Sequence, residues 1–338
     1  MSVEIRAVTP ADPALLEEWT DVYQRADRHE RDTATPWTFA EVKAAMEQPD
    51  PRYGHADLAG MVDGRVVATG SMSWPLRDNP EAAFLQVYVD PPARRRGFGR
   101  AMLAALEERS VGLGRRLLLG EAAWPYEYGA EGQGWPGTEF ARAHGYALAL
   151  GEVQRRLLLP VGVALLDRLH AEAAPHLEGY TLRSFTGPVP EDLLEAYTVL
   201  DSAVDTEAPT GELAIEPTRP DPEAVRAQNE LLAAQRRTRC ATFAFRGDEP
   251  AAYTEIMVVG HEPGRSYQWG TLVRREHRGR RLGLATKVAN LRVLQQEFPE
   301  VTHVLTWNAE ANAHMIGINA AMGFERVGRM GEFQKRAG

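Results

Sequence analysis

One sequence signature occurs twice in this chain and indicates a duplicated domain. The first copy runs from Val89 to Ala101 as VDPPARRRGFGRA, and the second runs from Val273 to Ala285 as VRREHRGRRLGLA. In both copies an apolar strand pattern ends at the Val, an Arg follows five positions later, and a Gly follows ten positions later. A strand that turns into a helix in this way directs backbone N–H groups and the positive helix end toward one point, and Gly lets a phosphate approach. The signature therefore predicts two sites for the diphosphate of a nucleotide-like ligand.

Size and composition favour two globular domains and exclude several classes of partner. The chain has 338 residues, 44% hydrophobic and 25% charged, with a net charge of −9, which gives a nucleic-acid partner no electrostatic support. Cys240 is the single cysteine, so no disulfide framework exists. The sequence shows neither a signal-peptide pattern nor an apolar run of membrane-spanning length, and its histidines lack metal-ligand spacing. We expect a cytoplasmic protein that has no nucleic-acid partner, no membrane partner and no metal.

The order of predicted strands and helices is the same in the two halves. Each half shows a strand, two helical segments, a hairpin, the strand that feeds the signature, the signature helix, a strand, a short helix and a last strand. The feeding strand is predicted at 83–89 in the first half and at 267–273 in the second. The patterns predict an N-terminal domain over 1–159, a connecting helix or linker over 160–178, and a C-terminal domain over 179–338.

This order, with Arg-x-x-Gly-x-Gly after the fourth strand, resembles the GCN5-related N-acetyltransferase (GNAT) family, in particular its tandem two-domain actinobacterial members of the mycothiol synthase type. The first copy matches the motif at Arg94, Gly97 and Gly99. The second copy keeps Arg278 and Gly283, but Arg281 replaces the first Gly. The resemblance implies an α+β fold of two tandem GNAT-like domains, each a mixed, mostly antiparallel sheet flanked by helices. It also implies an acetyl-CoA-dependent N-acetyltransferase that acylates a primary amine of a small molecule by direct attack on the thioester.

The resemblance further implies which residues hold acetyl-CoA. In the family the thioester arm lies along the end of the fourth strand and the diphosphate lies on the signature turn. In the first copy the matching residues are Val87, Tyr88, Val89, Arg94, Arg95, Arg96, Gly97, Phe98 and Gly99. In the second copy they are Thr271, Leu272, Val273, Arg278, Gly279, Arg280, Arg281, Leu282, Gly283, Asn308 and Asn312. Ordinary sheet pairing is the alternative for the strand residues, and a helix N-cap is the alternative for Asn312.

Candidates for proton transfer differ between the two copies. Glu255 lies in a strand pattern where the family often places a carboxylate base that acts through water, whereas the corresponding residue of the first copy is Ser71. A solvent-facing Glu on a sheet edge is the alternative. Asn319 occupies the position where the family frequently has a Tyr that acts as general acid, and the first copy has Ala141 there. An amide donates a hydrogen bond but delivers no proton at neutral pH.

The acceptor site is predicted from one loop of the second copy. The resemblance places Asp205 and Glu207 beside the acceptor, where two carboxylates can hold a cationic amine. A polar loop is the alternative. Taken together, these residues favour a catalytic second domain and a largely structural first domain that can bind CoA. A non-catalytic acyl-CoA-binding or sensing protein and an enzyme with an active N-terminal domain are the other hypotheses, and a monomer and a homodimer are equally compatible with the sequence.

Overall fold

The computed structural model describes residues 3–207, 211–214 and 216–338, although not the side chains of Asp205 and Thr206. The chain forms two compact units that are not contiguous in sequence. The first unit comprises Met1–Gly151, Glu212–Ile215 and Gly328–Gly338, and the second unit comprises Glu152–Gly211 and Glu216–Val327. In the described part of the chain, no helix is long and apolar enough to cross a membrane.

The first unit is a sheet flanked by helices. Its helices are α1 (Pro13–Arg28), α2 (Phe39–Glu47), α3 (Phe98–Gly112) and α4 (Pro136–Ala143). Its strands, in spatial order, are β1 (Glu4–Val8), β2 (Tyr53–Val62), β3 (Arg65–Pro75), β4 (Ala82–Val89), β5 (Leu117–Pro125) and β12 (Glu325–Arg336). All neighbours are antiparallel except β4 and β5, which run parallel. N-cap side chains stabilise the starts of α1 and α2. The Asp12 side chain accepts a hydrogen bond from the Leu15 N–H, and Thr38 forms a capping box with Glu41.

The second unit repeats this arrangement. Its helices are α5 (Val163–Ala173), α6 (Leu194–Glu207), α7 (Pro222–Ala234), α8 (Leu282–Glu297) and α9 (Ala313–Met322). Its strands, in spatial order, are β6 (Ala147–Leu158, which enters this unit at Glu152), β11 (His303–Ala309), β10 (Arg265–Val273), β9 (Glu249–Val259), β8 (Arg237–Arg246) and β7 (Thr181–Thr186). Strands β10 and β11 are the parallel pair. The mixed, mostly antiparallel sheets confirm the α+β fold predicted from the sequence.

The last strand of each half of the sequence pairs with a strand from the other half. Strand β6 from the first half belongs mostly to the second unit, and β12 from the second half belongs mostly to the first unit. Strand β12 pairs antiparallel with β5 from Gly328 opposite Pro125 to Arg336 opposite Leu117. Strand β6 pairs antiparallel with β11 from Glu152 opposite Ala309 to Leu158 opposite His303. The units therefore differ from the predicted division into 1–159 and 179–338 at these two strands. Residue patterning identifies a strand, but it does not specify which of two equivalent edges the strand joins.

Each sheet carries a packed layer on both faces. In the first unit, α1 and α2 cover one face through Leu16, Trp19 and Val22, and α3 covers the other through Met102 and Leu106. In the second unit, α6 and α7 cover one face and α8 covers the other. Burial of these apolar faces stabilises the sheets by roughly 25 cal/mol for each Å² of apolar surface removed from water.

Candidate functional site

The two signature turns have the same backbone conformation. In the first unit, Arg95 and Gly97 adopt left-handed conformations with φ of 63° and 88°. In the second unit, Gly279 and Arg281 occupy the corresponding positions with φ of 77° and 50°. Each turn thus places one Gly and one Arg at its two left-handed positions, with the order exchanged. An Arg at φ of 50° adds roughly 1–2 kcal/mol of local strain, so the Gly-to-Arg replacement at position 281 preserves the turn at a modest cost.

The first Arg of each motif braces its own turn. Arg94 donates from Nε to the Val89 carbonyl at 3.3 Å and from a terminal nitrogen to the Ala26 carbonyl at 3.1 Å. Arg278 donates from Nε to the Val273 carbonyl at 3.1 Å and forms an ion pair with Glu207 at 2.9 Å. The Arg94 and Arg278 guanidinium groups are therefore engaged within the protein, and the backbone N–H groups of each turn remain for the predicted diphosphate.

Several other predicted residues also have structural partners. Glu207, predicted to hold an amine, pairs instead with Arg278, and the side chain of Asp205 lies outside the described part of the chain. Phe98 and Leu282 are buried in apolar clusters. The helix-start glycines permit close packing against the feeding strands, because a Cβ on Gly99 would lie 3.2 Å from the Val89 side chain and a Cβ on Gly283 would lie 3.5 Å from the Val273 side chain.

The remaining basic side chains flank the turns from outside. Arg96 stacks over the Phe98 ring and Arg280 over the Tyr180 ring, while Arg281 forms an ion pair with Glu172. Arg95 is exposed. A Cβ on Gly97 or Gly279 would meet no atom within 4 Å. The turns are therefore open and electropositive at the backbone, which is the geometry that a diphosphate requires.

The parallel strand pair of each unit separates before it ends. Pairing between β4 and β5 stops at Leu85 opposite Gly120, although both strands continue. Pairing between β10 and β11 stops at Tyr267 opposite Leu305. The predicted thioester-binding residues Val87, Tyr88 and Val89, and likewise Thr271, Leu272 and Val273, all lie beyond these last pairs. Backbone groups along a separated edge can pair with an extended ligand, so a role for these residues in cofactor binding stays a prediction compatible with the fold.

The second unit has an additional distortion at this point, held by a buried lysine. The register of β10 against β9 shifts between Gln268 and Thr271. The Gln268 amide bridges the shifted segment by donating to the Glu255 and Gly270 carbonyls at 2.5 and 3.1 Å. Lys287, on α8 and 2% exposed, donates from Nζ to Gln268 Oε1 at 3.1 Å. Burial lowers the pKa of Lys287 to about 7.

The first unit contains a cavity of about 330 Å³ between its sheet and helices α1 and α2. The cavity reaches the point where β4 and β5 separate, since Leu85 and Gly120 contribute to its wall. A line of polar side chains, here called the polar row, crosses its floor on successive strands. The polar row consists of Asp57, Ser71, Gln86, Glu121 and Glu332. The aromatic side chains of the wall are Trp19, Tyr23, Trp37, Phe84 and Tyr88.

Glu121 is the cavity carboxylate best placed for chemistry. It follows Gly120, the last residue of β5 that pairs with β4, and Glu332 lies directly opposite it on β12. Glu121 is exposed to solvent through the cavity, and desolvation by the protein around it raises the pKa of its carboxyl group. It makes no hydrogen bond or ion pair with any other residue that the structure describes.

His55 and Asp57 form an ion pair at the other end of the polar row. The His55 Nε2 lies 2.7 Å from Asp57 Oδ2, and the Asp57 side chain is almost fully buried. Burial lowers the pKa of His55, but the hydrogen bond and charge of Asp57 outweigh that effect, so the pKa lies above its usual value. The raised pKa favours the protonated form of His55, which offsets the charge of Asp57 in this part of the cavity.

Glu255 occupies a different kind of environment in the second unit. It is 2% exposed, which overturns the solvent-facing alternative. Arg239 donates to it at 2.9 Å, and the Tyr197 hydroxyl donates to both of its oxygens at 3.2 and 3.3 Å. Burial, more than the nearby Glu255 charge, raises the pKa of Tyr197, so the hydroxyl keeps its proton. Glu255 is thus held in a buried ion pair, and its role as a base stays a prediction that these contacts do not favour.

The asparagines of the second unit form a small structural network. Asn319 is fully buried and donates from Nδ2 to Asn308 Oδ1 at 2.7 Å. Asn312 caps α9, because its Oδ1 accepts from the Met315 N–H at 3.1 Å. One of the two amide N–H donors of Asn319 is therefore occupied, and its predicted role opposite a departing thiolate remains untested. The N-cap alternative accounts for the side chain of Asn312.

The charged residues of the cavity, His55, Asp57, Glu121 and Glu332, were not identified from the sequence. A signal existed, because Glu121 interrupts the apolar run Leu117–Trp124, and His55 and Asp57 alternate in phase along a single strand. These residues lie outside the two signature segments, which carried the sequence-based prediction. Glu332 could not be placed beside Glu121 without knowing that β12 joins the first unit.

The fold, the paired signature turns and the separating parallel strands define a tandem GNAT architecture. The chain carries a GNAT domain, since residues 14–126 match the model of the acetyltransferase (GNAT) family. That match lies within the first unit. Over its whole length the chain has the fold of tandem GNAT proteins.

Several solved structures are similar to this chain over nearly its whole length. A tandem GNAT protein from the clavulanic acid biosynthesis pathway is 25% identical, with a TM-score of 0.80 over 100% of this chain and 99% of that one. A GCN5-related N-acetyltransferase from Sphaerobacter thermophilus is 17% identical, with a TM-score of 0.67 over 99% and 96% of the two chains. One from Kribbella flavida is 14% identical, with a TM-score of 0.51 over 99% and 71%. In a comparison with curated proteins, none matched.

Proposed function

We propose that this protein is an acetyl-CoA-dependent N-acetyltransferase that acylates a primary amine of a small molecule in the cavity of its first unit. The observation that carries the proposal is the position of Glu121, a carboxylate that has no hydrogen-bond or ion-pair partner among the described residues and lines the cavity where β4 and β5 separate. We therefore assign the chemistry to the first unit, whereas the sequence favoured the second. The family match over residues 14–126 supports the same assignment.

The residues of the first unit fit acetyl-CoA. The backbone of the Arg95–Gly97 turn would hold the diphosphate, since a Cβ at Gly97 meets only open space and the turn opens the N-terminus of α3. The inner edge of β4 over Val87–Val89 would pair with the extended arm. When bound, acetyl-CoA supplies an acyl group on a thioester. The turn in the second unit has the same conformation and would hold a second CoA.

Glu121 would activate the acceptor. An amine enters the cavity as an ammonium ion, which the facing carboxylates of Glu121 and Glu332 attract. Glu121 takes one proton from the ammonium, and its raised pKa makes it a stronger base than an exposed Glu. The freed lone pair would form the N–C bond as the C–S bond breaks, the thiolate would leave with the electron pair, and the second proton of the nitrogen would pass to that thiolate.

The contacts of the second unit support this division of roles. The only acidic residue that the sequence offered there as a base, Glu255, is bonded to Arg239 and Tyr197. Removing one partner of a buried ion pair typically costs about 3–5 kcal/mol, which suits a structural role. A non-catalytic acyl-CoA-binding protein is the rival function, because Ala141 stands at the position of the family's Tyr acid.

A thiol-release assay tests the proposal. The purified protein is given acetyl-CoA and a panel of primary amines, and free CoA is titrated with a thiol reagent. The protein adds little background, because burial raises the pKa of Cys240 to about 12. We expect Glu121→Gln to lower kcat by roughly 10²-fold, as for loss of a general base. Glu108→Gln, an exposed change on α3, is the control and should leave kcat unchanged.

Two outcomes would count against the proposal. Normal turnover by Glu121→Gln across the pH range would remove Glu121 from the mechanism. Inactivity of the unmodified protein toward every amine, together with tight CoA binding, would favour the acyl-CoA-binding rival.

A further inference from the structure

We infer that the acceptor is an arylalkylamine, a primary amine joined by a short linker to an aromatic ring, and that Phe84 on β4 binds the ring. This inference rests on the proposed function, because it concerns the acceptor of the same cavity. It goes further by naming the part of the acceptor that does not react and the residue that selects it.

The charges of the cavity suit an acceptor with a single cationic group. Among the described residues, three carboxylates line the cavity, those of Asp57, Glu121 and Glu332. Asp57 is paired with His55 at 2.7 Å, and Glu332 has a partner within the protein. Of these three carboxylates, only Glu121 has no hydrogen-bond or ion-pair partner in the described part of the chain. The reacting ammonium group would pair with Glu121, so we expect the rest of the acceptor to be uncharged.

Two apolar side chains, here called the apolar row, lie beside Glu121 on the same face of the sheet. Side chains two residues apart along a strand share a face, so Leu119 lies on the same face of β5 as Glu121. Phe84, the partner of Leu119 on β4, completes the apolar row, and both residues line the cavity. At about 3.3 Å for each residue, Leu119 lies roughly 7 Å from Glu121 along β5, and Phe84 lies roughly 8 Å away on the neighbouring strand. A ring on the apolar row would therefore be one short linker away from an amine at Glu121.

Phe84 presents apolar surface that the protein itself leaves uncovered. It is 36% exposed, whereas its neighbours Ala83 and Leu85 on β4 are buried. Trp37, in the segment before α2, is 37% exposed and lines the same cavity. Covering such surface removes apolar area from water, which favours binding of an apolar group. Phe84 and Trp37 therefore provide a binding surface for the uncharged part of the acceptor.

The size and the walls of the cavity suit an aromatic ring. An apolar cavity of about 150 Å³ holds a benzene molecule, and this cavity has about 330 Å³, which leaves room for a ring and its linker. Several wall residues are themselves aromatic, and the Tyr23 and Tyr88 rings meet edge to face with centroids 4.9 Å apart. Aromatic rings attract one another beyond the effect of buried area. An aromatic ring is therefore favoured over a saturated ring of the same size.

The apolar row continues into a packed apolar cluster. Leu119 clusters with Ala82 and Leu117, and Leu213 packs against this cluster. Gln334 on β12 fixes the backbone on both sides of Leu213 with hydrogen bonds of 2.8 and 3.1 Å. A polar body, such as that of an amino sugar, would lose hydrogen bonds to water on this surface. The apolar row thus selects against polar acceptors.

A matched pair of acceptors tests the inference. The probes are phenethylamine and its analogue in which an uncharged tetrahydropyran ring replaces the benzene ring, so that ring size, linker and reacting amine are shared. We expect kcat/KM in the thiol-release assay to favour phenethylamine by about 10-fold, as for discrimination by an apolar pocket. Phe84→Ala should lower this ratio toward one, and Phe84→Tyr, which keeps the ring, should restore it. Leu113→Ala shortens another exposed apolar side chain, at the end of α3 and outside the cavity lining, and should leave the ratio unaltered.

The outcomes separate this inference from the proposed function. Equal kcat/KM for the two probes, or turnover of other amines but of neither probe, would overturn the arylalkylamine inference and leave the acetyltransferase proposal intact. An unchanged preference in Phe84→Ala would overturn the assignment of the ring to Phe84. No turnover of any amine would overturn the proposed function itself. The comparison with the unmodified protein needs no variant to fold, and each ratio compares two substrates of one protein, so a partial loss of folded protein cancels.

Discussion

Replacing Lys287 by Met should stabilise the protein, and the gain should depend on pH. Lys287 is 2% exposed; its Nζ donates to the neutral amide of Gln268 and lies 5.6 Å from the centre of the Phe324 ring, and it has no carboxylate partner in the described part of the chain. Its pKa falls from 10.5 to about 7 on folding, a difference worth roughly 5 kcal/mol at about 1.4 kcal/mol for each pH unit. Met fills a similar volume without a charge, but it leaves the Gln268 oxygen without a donor at a cost of about 1–3 kcal/mol. The expected net gain at pH 6 is about 2–4 kcal/mol.

The pH dependence provides the sharper test. Between pH 7 and pH 10.5 the unfolded chain keeps the Lys287 proton while the folded chain releases it, so the stability of the unmodified protein rises with pH. The advantage of Lys287→Met should therefore shrink by about 2 kcal/mol between pH 7 and pH 9. Urea unfolding of both proteins at pH 6, 7, 8 and 9, followed by far-UV circular dichroism, measures this difference. A gain that stays constant with pH, or a loss at pH 6, would refute the reasoning.

Three further predictions concern other parts of the structure. Arg239→Met and Glu255→Met should each lower the free energy of unfolding by about 3–5 kcal/mol, whereas the double change should cost much less than either; a double-variant loss equal to the sum of the two single losses in urea unfolding would mean that the pair is not coupled. Deleting residues 328–338 removes β12 from the nine paired positions of β5 and should expose the first unit to limited proteolysis; an unchanged cleavage pattern would contradict the strand exchange. Because burial raises the pKa of Glu121, the acid limb of kcat/KM should fall at a higher pH than for an ordinary Glu and vanish in Glu121→Gln; an identical limb in both proteins would assign it to another group.

The sequence predicted the fold because its signals are local. The 83–89 and 267–273 strands appear as β4 (Ala82–Val89) and β10 (Arg265–Val273), since an apolar run that ends at a basic turn is visible within a few residues. Local signals of this kind could not predict that β6 and β12 exchange between the two units. Both strands have suitable patterning for either sheet, and their partners are set by packing far along the chain.

The candidate site was predictable only where the backbone defines it. The turn at Gly97 has the expected geometry, because a Gly at a left-handed position is visible in the sequence, whereas Arg281 adopts the same conformation without that signal. The roles of charged side chains depend on partners that the sequence does not place. Glu255 became a buried ion-pair member because Arg239 faces it from the neighbouring strand. Glu121 gained its raised pKa from a cavity that only the assembled unit creates.

A charge placed in each signature turn tests most directly which unit carries the chemistry. Position 97 and position 281 are equivalent left-handed positions at the starts of α3 and α8. Asn and Asp have the same shape and both tolerate this conformation, so comparing Gly97→Asp with Gly97→Asn, and Arg281→Asp with Arg281→Asn, isolates the effect of a carboxylate facing the diphosphate. Such repulsion is worth about 1–3 kcal/mol in a partly solvated site, or roughly 10- to 100-fold in affinity for acetyl-CoA.

The measurement is kcat/KM for acetyl-CoA in the four variants at low ionic strength. If the first unit is catalytic, Gly97→Asp loses roughly 10- to 100-fold relative to Gly97→Asn, while Arg281→Asp and Arg281→Asn remain alike. Loss of activity in Arg281→Asp with normal turnover in Gly97→Asp would contradict the assignment and place the chemistry in the second unit.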